Sequence, residues 1–154
     1  MKPLKYYLDT SVFNFIYAEN DPAKKQATLS FFEEIKNNKL EIYISEVVTA
    51  EINEAPEHIK IRLLESLRKT EPILLSISPE IRSLSQKYVA EGIIPKKYED
   101  DALHIAAAVV SNLDVIISWN FKHIVKLKTR LEVNGINKLL GYKEIEICSP
   151  EEVI

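Results

Sequence analysis

Leu4-Lys5-Tyr6-Tyr7-Leu8-Asp9-Thr10-Ser11-Val12-Phe13 is a short apolar run that stops at a carboxylate and two hydroxyls. Tyr6, Tyr7 and Leu8 carry bulky side chains that suit a covered, pleated surface, so the run predicts a buried strand. An Asp at the carboxyl end of such a strand stands where open α/β sheets form their ligand crevice. Asp9 equally suits the cap of a following helix, because a short carboxylate accepts the free N–H groups of a first turn. Both readings stay open until the rest of the chain is placed.

Beyond this stretch, strands and helices alternate. Val12 to Tyr17 reads as a short helix. Asp21-Pro22 is a start signal, with Asp as cap and Pro at the first helical position. The helix it opens carries Ala23, Ala27, Phe31 and Ile35 four residues apart, which predicts one buried face. Asn37-Asn38 ends it. Leu40 to Ile44 reads as a second strand stopping at Ser45, and Glu46 to Asn53 as a helix. Pro56 opens a further helix through Lys69, with Ile59, Leu63 and Leu67 as its inner stripe. Ile73 to Ile77 is a third strand, and Ser78-Pro79-Glu80 starts a helix that Gly92 ends. Tyr98 to Ser111 carries the strongest helical pattern, with Ala102, Ile105, Ala106 and Val109 inward. Val115 to Trp119 is a fourth strand, a basic helical stretch follows, and Glu144 to Cys148 is a fifth strand. Such alternation predicts an α/β fold, a parallel sheet covered on both faces. Periodicity leaves the strand order open.

The chain has 154 residues, the size of a single domain spanning 1–154. No apolar run approaches the roughly 20 residues that cross a bilayer, and no signal-like segment opens the chain, so a cytoplasmic protein is expected. The single cysteine, Cys148, excludes an internal disulfide and reads as a small buried packing residue. A net charge of −3 argues against whole-surface nucleic-acid binding but leaves room for local phosphate contacts. With three glycines in all, the sequence holds no phosphate-binding Gly-rich loop. It also lacks G-x-S-x-G, H-E-x-x-H and any Cys–His nucleophile arrangement.

Three polar positions stand near carboxyl ends of strands or in the first turns after them, and a pair of acids opens a helix. Asp9 ends strand one, and Glu51 lies in the helix after strand two between Ala50 and Ile52. Asp100 and Asp101 open the alanine-rich helix, and Asn120 follows strand four. Adjacent helical residues point about 100° apart, so one of Asp100 and Asp101 can face inward while the other faces water. Solvated or capping roles account for such acids singly. Gathered in one crevice they repel, and a divalent cation with a preference for hard oxygen ligands resolves that repulsion. His104, one turn after Asp101, reads as a packing or supporting residue beside the same site. His123 stands where it could contact phosphate or start a helix, and His58 reads as exposed. Lys122, Lys126, Lys128 and Arg130 form a basic cluster, with Lys96 and Lys97 on another loop; phosphate steering and a solvated face are both open.

Taken together these segments resemble a PIN domain, in particular the toxin-like ribonucleases of the VapC type. Leu8-Asp9-Thr10-Ser11 is similar to the family's opening motif, Ser45 through Glu51 to its second, and Asp101-Ala102-Leu103-His104-Ile105-Ala106-Ala107 to its third. Ile116-Ile117-Ser118-Trp119-Asn120-Phe121 aligns with the fourth, usually a hydroxyl residue, one spacer and an Asp. The resemblance implies a three-layer α/β/α fold with a parallel five-stranded sheet of order 3-2-1-4-5. It implies Mg²⁺- or Mn²⁺-dependent hydrolysis of RNA phosphodiesters by the toxin of a type II toxin–antitoxin pair, with a cognate antitoxin and a homodimer as partners. Carried over, Asp9, Glu51 and Asp101 are metal ligands and Ser11 orients the first carboxylate or a water. Asn120 departs from the pattern by replacing the fourth acid; its amide oxygen adds no charge, and Asp100 is a candidate to compensate. The alternative function is a weakened PIN-like module that binds RNA or a protein. An aspartyl phosphotransferase would want a second Asp where Ser11 stands.

Overall fold

The computed structural model describes residues 2–154. Five short parallel strands form one sheet: β1 (Tyr6–Leu8), β2 (Ile42–Ser45), β3 (Ile73–Leu75), β4 (Val115–Ile117) and β5 (Glu146–Cys148). Their order is β3-β2-β1-β4-β5, so β1 lies at the centre. Tyr6 pairs with Ile42 on one side and with Val115 on the other. From β1 the chain winds outward to β2 and β3, then returns to add β4 and β5 on the other side. The reversal places a crevice beyond the carboxyl ends of β1 and β4, directly at Asp9.

Side chains alternate across the sheet. Tyr7, Ile116 and Ile147 join a core formed with α5 (Pro79–Ala90) and α6 (Glu99–Val110). Tyr6, Leu8, Ile42, Ile44, Val115 and Ile117 join the opposite core. That core is covered by α1 (Thr10–Asn14), α2 (Pro22–Asn38), α3 (Glu46–Asn53) and α4 (Glu57–Thr70). A last helix, α7 (Leu127–Leu139), leads back to β5. Both faces are therefore apolar, and the central strands read as continuous hydrophobic runs rather than alternating ones. Ala102, Ala106, Ala107 and Ala108 are fully buried in α6, where small side chains let the helix sit close to sheet and neighbour.

Start and stop signals act as read. Asp21 caps α2 by accepting from the Lys24 N–H, Ser45 caps α3, and Ser78 caps α5. Gly92 ends the α5 segment with φ 74°, a conformation glycine adopts without strain. The first helix begins two residues earlier than its apolar pattern suggests, because Asp9 caps it, and it tightens into a 3₁₀ turn over Phe15–Tyr17.

Three expectations are corrected. On α2, Ala23 is exposed and Ala27 only partly covered; the buried stripe is Thr28, Phe31 and Ile35. The reason is a hydrogen bond from the Trp119 indole to Thr28 Oγ1 at 2.8 Å, which turns that face inward. On α4, Ile59 is exposed while Leu63 and Ser66 are buried; the Tyr17 hydroxyl holds Ser66 at 2.6 Å. Cys148 is half-buried rather than enclosed, and burial pushes its thiol up to about 11, which leaves no reactive thiolate.

Candidate functional site

Asp9 leaves the central strand with its carboxylate 4% exposed. One oxygen, Oδ1, accepts from the Ser11 backbone N–H at 3.1 Å and from Ser11 Oγ at 2.5 Å. The other accepts from Ser118 Oγ at 2.8 Å. Asp9 is thus both the cap of α1 and a wall of the crevice, so the two readings of this residue hold together. Burial pushes its carboxyl up; the His104 charge and the two hydroxyls draw it back only in part, and Glu51 adds to the rise.

Glu51 projects from α3, which Ser45 starts at the end of β2. Its Oε1 accepts from Thr10 Oγ1 at 2.8 Å and lies 2.6 Å from His104 Nε2. Burial pushes Glu51 up, but the hydrogen bond and charge of His104, with Thr10, outweigh it and hold the carboxyl below its ordinary value. His104 is in turn held from behind: its Nδ1 lies 2.7 Å from the Tyr7 hydroxyl, which lies 2.8 Å from Ser45 Oγ. The chain of contacts closes in either protonation state. With neutral His104, Tyr7 donates to Nδ1; with the imidazolium, Nδ1 donates to the Tyr7 oxygen, and the Tyr7 O–H donates to Ser45 Oγ. Burial draws the His104 value down, yet the Glu51 hydrogen bond and the charges of Asp9, Glu51 and Asp101 raise it overall.

Asp101 sits in the first turn of α6, where a carboxylate suits the positive helix end. Its Oδ2 accepts from Asn120 Nδ2 at 3.2 Å and lies 3.2 Å from His123 Nδ1. Burial raises its carboxyl, against the His104 charge, and the nearby Asp9 raises it further. Asn120 is braced on both sides: its Oδ1 accepts from the His123 N–H at 2.9 Å, and its own N–H donates to Ser118 Oγ at 2.9 Å.

Asp9, Ser11, Glu51, Asp101 and Asn120 all line one cavity of about 300 Å³, with Thr10, Asn14 and His104. The five residues named from sequence therefore meet, although positions 9 and 120 span most of the chain. Asp100 does not join them: it is exposed and lines a separate cavity with Glu46 and Arg82. His58 is exposed. Of the basic cluster, Lys128 is drawn to Glu132 at 3.7 Å. Thr10, Ser118 and Tyr7 were given no role in the site. The first two carry a signal, as hydroxyls beside the motif residues Asp9 and Asn120. Tyr7 carries none, because its partner lies 97 residues away.

In kind the donors suit a divalent cation: three carboxylates, two of them raised by burial and nearby charge, line one polar hollow. In placement they do not yet form a site: among the described residues no group of three or more His, Cys, Asp or Glu stands where it could hold a metal ion. The oxygens share a hollow but stand apart within it.

A five-stranded parallel sheet of this order with acids at its central switch point defines a class of α/β protein. The PIN domain family model matches residues 6–123, and the chain belongs to that family. Among solved structures the chain is similar to VapBC2 from Rickettsia felis bound to a promoter DNA fragment. The TM-score is 0.58 at 15% identity, covering 95% of this chain and 98% of that one. It is similar to DNA-bound VapBC from Salmonella typhimurium, with TM-score 0.55 at 17% identity over 96% and 98% of the two chains. It also resembles VapBC-5 from Mycobacterium tuberculosis, a member of the VapBC family of toxin–antitoxin systems, with TM-score 0.51 at 18% identity over 96% and 99%. Likeness at these identities shows the fold. No curated protein matches the chain by sequence.

Proposed function

We propose that this chain is a Mg²⁺- or Mn²⁺-dependent endoribonuclease of the VapC type, the toxin of a cytoplasmic toxin–antitoxin pair, acting as a homodimer and held by a cognate antitoxin. The observation that carries the reading is the single hollow shared by Asp9, Glu51 and Asp101. These three side chains would hold the cation, which when bound would supply positive charge to the phosphodiester and make water a better nucleophile at neutral pH. The protein's own part is to fix the oxygens beforehand. Ser11 and Ser118 clamp Asp9, Thr10 and His104 hold Glu51, and Asn120 and His123 hold Asp101. Among the described residues no helix is long and apolar enough to cross a membrane. The antitoxin partner is supported by the fold shared with VapBC structures.

Purified protein incubated with single-stranded RNA and Mn²⁺ tests this beside Asp9→Asn. The wild type is expected to cleave, and the variant to lose more than the roughly 10–100-fold that removal of a supporting residue costs. Equal cleavage by both defeats the proposal.

A second reading, a weakened RNA- or protein-binding module, draws on Asn120. Its amide is spent on Asp101 and its oxygen on the His123 turn. Calorimetric titration with Mn²⁺ separates the two: measurable binding is expected for the nuclease, and none for the module.

A further inference from the structure

The turn after β4 divides its side chains between two tasks. Ser118 bonds Asp9 and Asn120 bonds Asp101, so this one segment touches two of the three acids. Trp119 and Phe121 turn the other way, toward α2. The Trp119 ring lies 5.6 Å from that of Phe15, and Phe121 meets it edge-on at 5.9 Å. One ammonium serves all three rings: Lys24 Nζ is 5.4 Å from the Phe15 centroid, 5.6 Å from that of Trp119 and 5.1 Å from that of Phe121. A cation in that position is attracted by the negative ring faces, most strongly by Trp.

Lys24 is tied to the indole a second time. The Trp119 Nε1–H donates to Thr28 Oγ1 at 2.8 Å, and Thr28 Oγ1 donates to the Lys24 carbonyl at 2.7 Å. At its other end, the Trp119 backbone N–H donates to Ser11 Oγ, which donates to Asp9 Oδ1. Trp119 is 4% exposed and so links α2 to the hollow through the interior. Covering the rings does not call for a charge, since an apolar side chain would do that. The one ion pair of Lys24 among the described residues, with Asp21 at 3.8 Å, is too long for a hydrogen bond.

We propose that Lys24 is a positioning residue for the acidic hollow. By gripping Phe15, Trp119 and Phe121 it fixes the turn 118–121, and through Ser118 and Asn120 it sets how Asp9 and Asp101 are presented to a divalent cation. The last step rests on the cation reading given above; the fixing of the turn does not.

The test uses the full chain and two conservative variants. Lys24→Met keeps the stem and removes the charge, and Lys24→Arg keeps a charge that also stacks on rings. Amide hydrogen exchange of metal-free protein reads the turn through the N–H groups of Trp119, Asn120 and His123, each bonded to a side chain there. Lys24→Met is expected to speed exchange at these three and leave β1 unchanged, and Lys24→Arg to restore protection. Calorimetric titration with MnCl₂, below every melting point, reads the hollow. Electrostatics alone makes loss of a positive charge tighten cation binding. Positioning gives the opposite sign: Lys24→Met is expected to weaken Mn²⁺ binding about 10–100-fold, the usual cost of losing a residue that orients a ligand. Lys24→Arg is expected to bind as wild type does. Lys25→Met, beside it but paired with Glu19, is the control and is expected to change neither readout. Unchanged exchange in Lys24→Met overturns the proposal, as does faster exchange with unchanged or tighter Mn²⁺ binding. If wild type binds no Mn²⁺, the cation reading falls and the exchange pattern alone decides whether Lys24 fixes the turn. If Lys24→Met does not fold, Phe121→Leu, which removes the 42% exposed ring of the cluster, is expected to shift both readouts the same way.

Discussion

At the scale of single residues, part of the support behind the hollow is fully buried. Tyr7 is fully buried; its hydroxyl bonds both His104 and Ser45, and its ring meets the His104 ring edge-on. Tyr7→Phe keeps the ring but leaves two buried polar atoms short of a partner, a change that costs about 1–3 kcal/mol. For a chain of this size, each kcal/mol lowers Tm by about 2–4 °C, readable by circular dichroism. Cleavage is expected to fall with it, since Glu51 loses the brace behind His104. Asp101 runs the other way. Its carboxyl is raised above the ordinary 3.8 by burial and by Asp9, so the folded state binds its proton more readily than the unfolded state. Ionisation therefore costs stability, absent below 3.8 and growing as pH rises through the folded value. Asp101→Asn keeps an oxygen for Asn120 and His123 and removes the charge. The metal-free variant is expected to melt a few degrees higher than wild type at pH 7, about 2–4 °C for each kcal/mol relieved, and to cleave nothing. A lower melting point at pH 7 would show that the carboxylate is not under strain.

At the scale of elements, capping chemistry was legible because it is local. Asp21-Pro22, Ser45, Ser78-Pro79 and Gly92 each act within four residues of themselves. The buried faces of α2 and α4 were less so. Thr28 and Ser66 face inward because Trp119 and Tyr17 reach them from elsewhere in the chain, and no periodicity within a helix records a distant donor. Asp9 was legible as a carboxylate at a strand end, while Glu51 and Asp101, each in a helix, joined it by resemblance; Ser118 carried a signal as the hydroxyl of the fourth motif, and Tyr7 carried none, since His104 and Ser45 meet it only through the fold. Strand order likewise entered by resemblance, as alternation alone is silent on it. The inward stripe read for α6, Ala102, Ile105, Ala106 and Val109, is buried, together with His104, Ala107 and Ala108, and it carries a prediction. Ala106 is fully enclosed between sheet and α5. Ala106→Leu adds volume that a packed core cannot accept without shifts, at about 1–3 kcal/mol. Thermal melting is expected to drop by about 2–12 °C. An unchanged Tm would mean that α6 is not held close.

At the scale of the whole molecule, one small acidic hollow sits inside a chain of modest net charge, and its titration sets how stability follows pH. His104 is raised above its ordinary 6.5, chiefly by Glu51 and the other acids acting against burial. Its contribution is full below 6.5 and is lost as pH rises through the folded value. Glu51 is lowered from 4.5, so its contribution is full above 4.5 and is lost as pH falls through the folded value. Asp9 and Asp101, both raised, add cost as they ionise. The metal-free protein is therefore expected to be most stable between about pH 4.5 and 6.5, the two ordinary values. Above that window the hollow holds more negative charge than its partners offset, and there a divalent cation binds best, since protons no longer compete for the same oxygens. At a hundred times its Kd, Mn²⁺ stabilises the fold by about 2.7 kcal/mol, or about 5–11 °C in Tm. The increment over EDTA is expected to be larger at pH 8 than at pH 5.5. An equal increment at both, or none at either, would mean that the carboxylates do not hold the ion together. The same melts on Asp101→Asn locate the effect, because its increment is expected to vanish at pH 8 while its metal-free Tm stays above that of wild type.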